Sequence, residues 1–297
     1  LDLPKNAEII VPNFTFLSPA EAVIRGGYKL VLADINLNDF TICIDSLKKL
    51  ISNKTKAIII VHLFGNPCDM REIINIKKKF DLKIIEDCSQ SHGARFNSTN
   101  VGNFGDIGTF SFYPTKNLGA FGDAGALVFN DKKLFQRAKK ISNHGRVDTY
   151  DHVLAGRNSR LDAIQAFILD LKLRDLKKLN DKRNLQAAKY YNLLADSNFR
   201  LQSVNNIKKS VYHQFPILSD SRDLLKFHLK KNLVDSGIYY PKPLSTMRAF
   251  KNSPSLVTYH DKNSIIASKN ILSLPIGPHL NLNEISYVSK TILNFDG

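Results

Sequence analysis

Short apolar runs alternate with helical stretches through the first half of this 297-residue chain, and the connections between them are short. Glu8–Val11, Lys29–Asp34, Lys56–Val61 and Leu82–Asp87 have strand length and are dominated by Ile, Val and Leu. Between them, Ser18–Arg25 reads as a helix closed by Gly26-Gly27, Asp45–Ile51 as a second, and Asp69 as the cap of a third running to about Lys79. Strands that alternate with helices pair in parallel, because a parallel neighbour is reached only by a crossover. An α/β protein is expected, built on a mostly parallel sheet with helices on both faces. The chain carries neither a GxGxxG fingerprint nor a GxxxxGK phosphate loop, so a dinucleotide or P-loop site has no sequence support.

Open α/β sheets bind ligands outside the carboxyl ends of their strands, and two such ends carry reactive side chains. The run Leu82–Asp87 ends in a carboxylate, followed by Cys88, Ser89, Gln90, Ser91 and His92. The aromatic-rich run from Ile107 is ended by Pro114, and Lys116 follows before Gly119, Gly122 and Gly125. A lysine amine becomes a nucleophile toward a carbonyl when desolvation lowers its pKa, and a carboxylate taken out of water needs a cation. Pyridoxal phosphate answers both needs, with an aldehyde carbon for a lysine and a protonated ring nitrogen for an aspartate. Ser111 offers a hydroxyl to its phosphate. Taken singly, Asp87 also reads as a helix N-cap, Ser111 as a strand hydroxyl satisfied by backbone, and Lys116 as a solvated loop charge.

Three spaced motifs carry a resemblance: E-D-C-S-Q-S-H-G-A from Glu86, S-F-Y-P-T-K-N-L-G-A-F-G-D-A-G-A from Ser111, and G-R-N-S-R-L-D-A-I-Q-A from Gly156. Over nearly its whole length the chain resembles the DegT/DnrJ/EryC1/StrS family, which are pyridoxal-phosphate sugar aminotransferases of fold type I. The resemblance implies a large cofactor-binding α/β domain over residues 1–182 and a smaller C-terminal α+β domain over 183–297. It implies that Lys116 bonds the cofactor and moves the proton, and that Asp87 pairs with the ring nitrogen. Gln90 would bond the ring hydroxyl, Ser111 the phosphate, and Phe16 would stack on the ring. Asn158 would reach the phosphate of a second subunit, which makes the expected assembly a homodimer with shared sites. The implied reaction turns a nucleotide-linked keto sugar into an amino sugar, with glutamate as amino donor. Family members carry an earlier strand, helix and phosphate-gripping loop, so the sequence, which opens at Leu1, is expected to be N-terminally incomplete. They often carry His where this chain has Ser245. Two alternatives stay open: a sugar dehydratase of the same fold, whose members carry His at the lysine position, and a non-enzymatic regulatory or nucleic-acid-binding relative.

Further along, Ala124–Phe129 reads as a strand and Asp131 caps a helix to about Ser142. A long helix is expected from Leu161 to about Ala195, capped by Asn158 or Ser159 and broken or bent near Asn180. Val211–Leu218 is expected as a strand, Arg222–Ser236 as a helix capped by Gly237, and Asn283–Leu293 as the closing helix. The formal charge of +15 leaves nucleic acid or a membrane surface open as partners. Its densest stretch, Lys172–Arg183, interleaves leucines at helical spacing, which is the pattern of a solvated amphipathic face, so neither partner is expected. No apolar run reaches membrane-spanning length. Cys43, Cys68 and Cys88 are odd in number and lack CxxC spacing, which fits reduced thiols in a cytoplasmic protein and no metal site. A Cys88/His92 hydrolase is the rival from another class.

Overall fold

The computed structural model describes residues 1–296. In chain order the first half forms β1 (Glu8–Pro12), α1 (Ser18–Arg25), β2 (Lys29–Ala33), α2 (Ile44–Leu50), β3 (Thr55–Val61), α3 (Met70–Phe80), β4 (Lys83–Asp87), β5 (Arg95–Phe96), β6 (Thr99–Asn100), β7 (Ile107–Ser111), β8 (Gly125–Phe129) and α4 (Lys132–Ile141). The second half forms α5 (Ala163–Leu193), β9 (Arg200–Leu201), β10 (Lys208–Lys209), β11 (Phe215–Leu218), α6 (Arg222–Lys231), α7 (Arg248–Lys251), β12 (Leu256–Tyr259), α8 (Lys262–Asn270), β13 (Ile271–Leu274) and α9 (Leu282–Leu293).

Seven strands form the central sheet in the order β12-β2-β1-β3-β4-β7-β8. Every pair is parallel except β7 with β8. The expected α/β architecture is therefore the observed one. Burial on both faces explains the unbroken apolar runs. Ile10, Val31, Ile58 and Ile60 face one way and pack with Leu47 of α2 and Ile73 and Ile76 of α3. Their neighbours Ile9, Val11, Leu30, Leu32 and Ile59 face the other way, onto Ala20 and Val23 of α1 and onto Leu244 and Phe250. Each such side chain contributes about 1.5–3 kcal/mol by leaving water, so the two layers clamp the sheet and fix its strand ends.

The caps follow local chemistry. Asp69 accepts from the Glu72 N–H, Asp131 from Lys133 and Leu134, and Asn281 forms a reciprocal capping box with Glu284. The long helix differs from expectation. Asp162 caps it, accepting from the Ile164 N–H, so Asn158 and Ser159 are not its cap. The 31-residue helix also runs unbroken through Asn180. That amide does not compete with its own backbone, because Nδ2 donates to the His92 carbonyl at 2.8 Å and Oδ1 accepts from Asn117 at 3.0 Å.

The C-terminal half departs further. β11 begins at Phe215, not Val211, since Val211 N–H bonds the Gly65 carbonyl instead of joining a strand. α6 ends at Lys231, capped by Asn232, and Gly237 instead pairs with Ser273 beside β13. The boundary expected after residue 182 falls inside α5. Beyond it, β13, β11 and β9 form a separate antiparallel sheet, but β12 returns to the edge of the central sheet, parallel to β2.

One buried carboxylate ties the site-bearing strands together. Glu86 of β4 is fully buried. Its Oε1 accepts from the N–H groups of Phe104 (2.7 Å) and Gly105 (2.6 Å). Its Oε2 accepts from Gly102 N–H at 2.8 Å and His62 Nε2 at 3.1 Å. The Cys68 N–H donates to His62 Nδ1, so the ring is neutral, with its proton on Nε2 toward the carboxylate. Burial alone would push the Glu86 carboxyl up. His62 and the Gly105 and Gly102 N–H groups outweigh it and hold the pKa below the usual glutamate value. Glu86→Gln should therefore cost about 3 kcal/mol, because it turns a donor toward backbone N–H groups that then go unpaired. A carboxylate with a depressed folded pKa contributes stability above its unfolded pKa and loses it as pH falls through the folded value. Urea unfolding at a series of acidic pH values should show that part of the pH dependence missing in the variant.

Candidate active site

The carboxyl ends of β3, β4 and β7 open into a cleft of about 1690 Å3. Phe16, Asp87, Gln90, Ser111 and Lys116 all line it. β4 stops at Asp87 because its Oδ1 accepts the Ser89 N–H at 2.9 Å, a local turn that competes with continued strand. Among the described residues, no hydrogen bond engages the other carboxylate oxygen. Past β7, the Lys116 N–H closes a turn onto the Tyr113 carbonyl at 2.9 Å, and the Ala120 N–H returns to Phe112. A side chain at Gly119 would press into the Pro114 carbonyl, so the loop needs that glycine to fold this tightly.

Lys116 is half-buried. Burial lowers its pKa, Asp87 opposes that, and the net direction is down from the ordinary lysine value. Ser111 Oγ accepts the Tyr113 N–H at 3.3 Å, which leaves its own proton free to donate. Gln90 is buried and fixed: Oε1 accepts the Phe64 N–H at 2.6 Å and Nε2 donates to the Tyr240 hydroxyl at 3.1 Å. One N–H of its amide remains for a ligand. Phe16 is 52% exposed, its ring 6.1 Å from that of Tyr240, and offers a free face to the cleft.

Asn158 is not brought to the other five. It lies exposed on a bridge to Asn143, and its Oδ1 accepts from Arg160 at 3.3 Å. Its neighbours Arg157, Ser159 and Arg160 reach the cleft, but Asn158 does not. Ser245 does not face the cleft either; it is buried against Asn13, with which it exchanges two hydrogen bonds. Among the lining residues to which the sequence reading gave no role are Arg183 and His213. Arg183 donates through Nη1 to the carbonyls of Tyr212, His213 and Ile276, and burial pushes its pKa down to about 10, so it stays charged at neutral pH. Its place in a Lys- and Leu-rich helical stretch gave no signal that it would be buried.

The cysteine-hydrolase arrangement is absent. Cys88 is fully buried, and burial raises its thiol pKa. The histidine beside it is His62. His92 sits 5.6 Å from the rings of both Phe110 and Phe112. Burial, against an opposing contact with the Ser111 backbone, and then the Lys116 charge hold it down at about 4, so it is neutral at physiological pH. Donor atoms of His62, Glu86 and Cys88 lie within 4.8 Å of one another. Both imidazole nitrogens and both carboxylate oxygens already have protein partners, which leaves a metal no open ligand set.

The sequence profile of the DegT/DnrJ/EryC1/StrS aminotransferase family matches residues 1–293. The chain belongs to this aminotransferase family. Among its relatives is the UDP-N-acetyl-3-dehydro-alpha-D-glucosamine 3-aminotransferase of Acidithiobacillus ferrooxidans, 38% identical over 98% of this chain and 78% of that one. Another is the dTDP-3-amino-3,6-dideoxy-alpha-D-galactopyranose transaminase of Aneurinibacillus thermoaerophilus, 35% identical over 98% of this chain and 79% of that one. The crystal structure of S. venezuelae DesV in complex with a ketimine intermediate superposes with a TM-score of 0.92 at 33% identity, over 98% of this chain and 78% of that one. In this aminotransferase the buried Cys88 thiol does not line the cleft. Cys88→Ala should retain activity, and peptide mapping after thiol labelling should find Cys88 protected in the native protein and reactive in urea.

Proposed function

We propose that this aminotransferase uses pyridoxal 5'-phosphate to convert a nucleotide-linked keto sugar into an amino sugar, with glutamate as amino donor. The observation that carries this reading is the meeting of Asp87 and Lys116 at adjacent strand ends in one cleft. The residues fit the cofactor: a carboxylate oxygen without a partner, a lysine amine of lowered pKa, a serine proton free to donate and an exposed phenyl face. When bound, the cofactor would supply an aldehyde carbon for Lys116 and a ring that takes up electron density from the substrate carbon.

Asp87 would hold the proton on the ring nitrogen, since a neighbouring anion favours the charged form. Phe16 would stack on the ring face, and the spare N–H of Gln90 would reach the ring hydroxyl. Ser111 Oγ–H would donate to the phosphate. Lys116 Nζ would take the proton from the carbon that loses the amino group and return it to the carbon that gains one. A neutral amine is required for the first of these steps, and burial of Lys116 favours it. The amino acid would react first and the keto sugar second. The nucleotide-linked substrate class rests on the relatives that carry UDP- and dTDP-linked sugars in their names. Lys116 also favours the aminotransferase over the dehydratase.

A homodimer in the cytoplasm completes the reading. Among the described residues no helix is long and apolar enough to cross a membrane. Residues 1–182 with the returning β12 would form the cofactor-binding unit, and the rest of 183–297 the smaller one. Asn158, exposed and outside its own cleft, would serve the partner's phosphate.

Lys116→Ala should lower turnover of nucleotide keto sugars with glutamate by about 10^3-fold, within the range for loss of a proton-transfer group, and should abolish the absorbance band of the lysine-bound cofactor while circular dichroism in the far ultraviolet is unchanged. Normal turnover by that variant would refute the assignment. For the dimer, Lys116→Ala and Asn158→Ala proteins should each be impaired. Once mixed, they should regain activity as subunits exchange, because one of the two shared sites is then intact. Confirmed exchange without recovery would place Asn158 outside the site.

A further inference from the structure

The loop that carries Lys116 lies along α5. The turn around the lysine is closed by its own N–H on the Tyr113 carbonyl and by the Ala120 N–H on the Phe112 carbonyl. The stretch after the lysine meets one stripe of the helix, Gln165, Leu169, Lys172, Leu176 and Asn180, whose spacings of three and four residues place them on a single face. Leu169 is buried in one cluster with Leu118 and Ala120 of the loop, and Leu176 packs against that cluster. The polar members bond the loop on either side of these contacts. Asn180 Oδ1 accepts from Asn117 Nδ2 at 3.0 Å, Lys172 Nζ donates to the Gly119 carbonyl at 2.6 Å, and Gln165 Oε1 accepts the Phe121 N–H at 2.8 Å. Loop and helix therefore run antiparallel, with alternate loop residues met in turn by Asn180, Lys172 and Gln165.

Lys172 differs from the other cations of its helix. Arg174 and Lys177 pair with Asp170 and Asp181 on the solvent side. Lys172 is half-buried, and among the described residues its ammonium joins no carboxylate; it bonds Gly119 and lies 4.7 Å from the centre of the Phe121 ring. A charged donor on a carbonyl makes a stronger bond than a neutral one. The carbonyl it takes belongs to the glycine that lets the loop close against Pro114. We propose that Gln165 and Lys172 are positioning residues for Lys116: by holding the Phe121 N–H and the Gly119 carbonyl they fix the loop backbone along α5, and with it the place from which the lysine amine reaches the cleft. This rests on Lys116 being the reacting lysine. Neither side chain lines the cleft, so their effect travels through the loop.

Three variants separate anchoring from packing. Lys172→Met keeps the stem and removes the donor. Gln165→Met keeps the length and removes the acceptor, whereas Gln165→Glu keeps an oxygen for the Phe121 N–H. In the full chain freed of cofactor, amide hydrogen exchange in peptides spanning residues 112–121 should be about 10-fold faster in both methionine variants, the equivalent of one hydrogen bond. Peptides covering β1 and β3 should exchange as in the unsubstituted protein, and so should the loop in Gln165→Glu. In the holoenzyme the methionine variants should lose up to about 10^2-fold in kcat, the cost of a misplaced group, with KM for the keto sugar unchanged, and Gln165→Glu should restore kcat. Should one methionine variant fail to fold, the other decides alone. Unchanged loop exchange overturns the inference. So does a Gln165→Glu protein that behaves like Gln165→Met, or an unchanged kcat in an enzyme that Lys116→Ala inactivates. The exchange measurement needs neither cofactor nor substrate, so its failure is distinct from normal turnover by Lys116→Ala, which would refute the role of the lysine itself.

Discussion

The ionised carboxylate of Glu86 is the constraint on which the cleft depends. It lies beneath the strand ends, out of water, and is held by three backbone N–H groups and one neutral imidazole. Those partners come from the end of β3 and from the loop that leads into β7. A buried anion left unpaired costs several kcal/mol, so the loop cannot drift without exposing that cost. Because side chains alternate along a strand, Glu86 points down into this clamp and Asp87 is left at the cleft. Rigidity under the sheet and reactivity above it come from adjacent residues.

The charge balance above the sheet is sparse. Asp87 and Lys116 act on each other electrostatically, and the two histidines nearest the lysine are neutral. Among the described residues Arg183 neutralises no carboxylate; its charge is spread over three carbonyls that join α5 to the segments after Val211 and before Gly277. A lysine in such surroundings loses its proton more readily than one in water, which suits the proton-transfer role proposed for Lys116.

The C-terminal half contributes by closing over the strand ends. Tyr240 fixes Gln90 and stands beside Phe14 and Phe16, while Ser245 anchors the same region to Asn13 at the end of β1. The buried Asp34 at the end of β2 holds the start of α8 by accepting from Asn263 and Ser264. With β12 added to the sheet edge, the two halves share a continuous set of polar anchors at the carboxyl side of the sheet.

The sequence by itself determined the parallel sheet, the identity of its site-bearing ends and five of the residues that line the cleft. Two-faced burial writes unbroken apolar runs, and a strand that ends in Asp87 or a tight Gly119 loop leaves a local mark. What it left undetermined arose from contacts between residues distant in the chain. The integrity of α5 through Asn180 was decided by an amide bonded to His92 and Asn117. The shortened β11 was decided by Val211 turning to Gly65, and the return of β12 by a free edge at β2. Gln165, Lys172 and Asn180 keep helical spacing, but the loop groups they bond lie 44 to 63 residues earlier. A hydrogen bond between distant residues carries no periodicity, so only the folded arrangement could set which group each side chain meets.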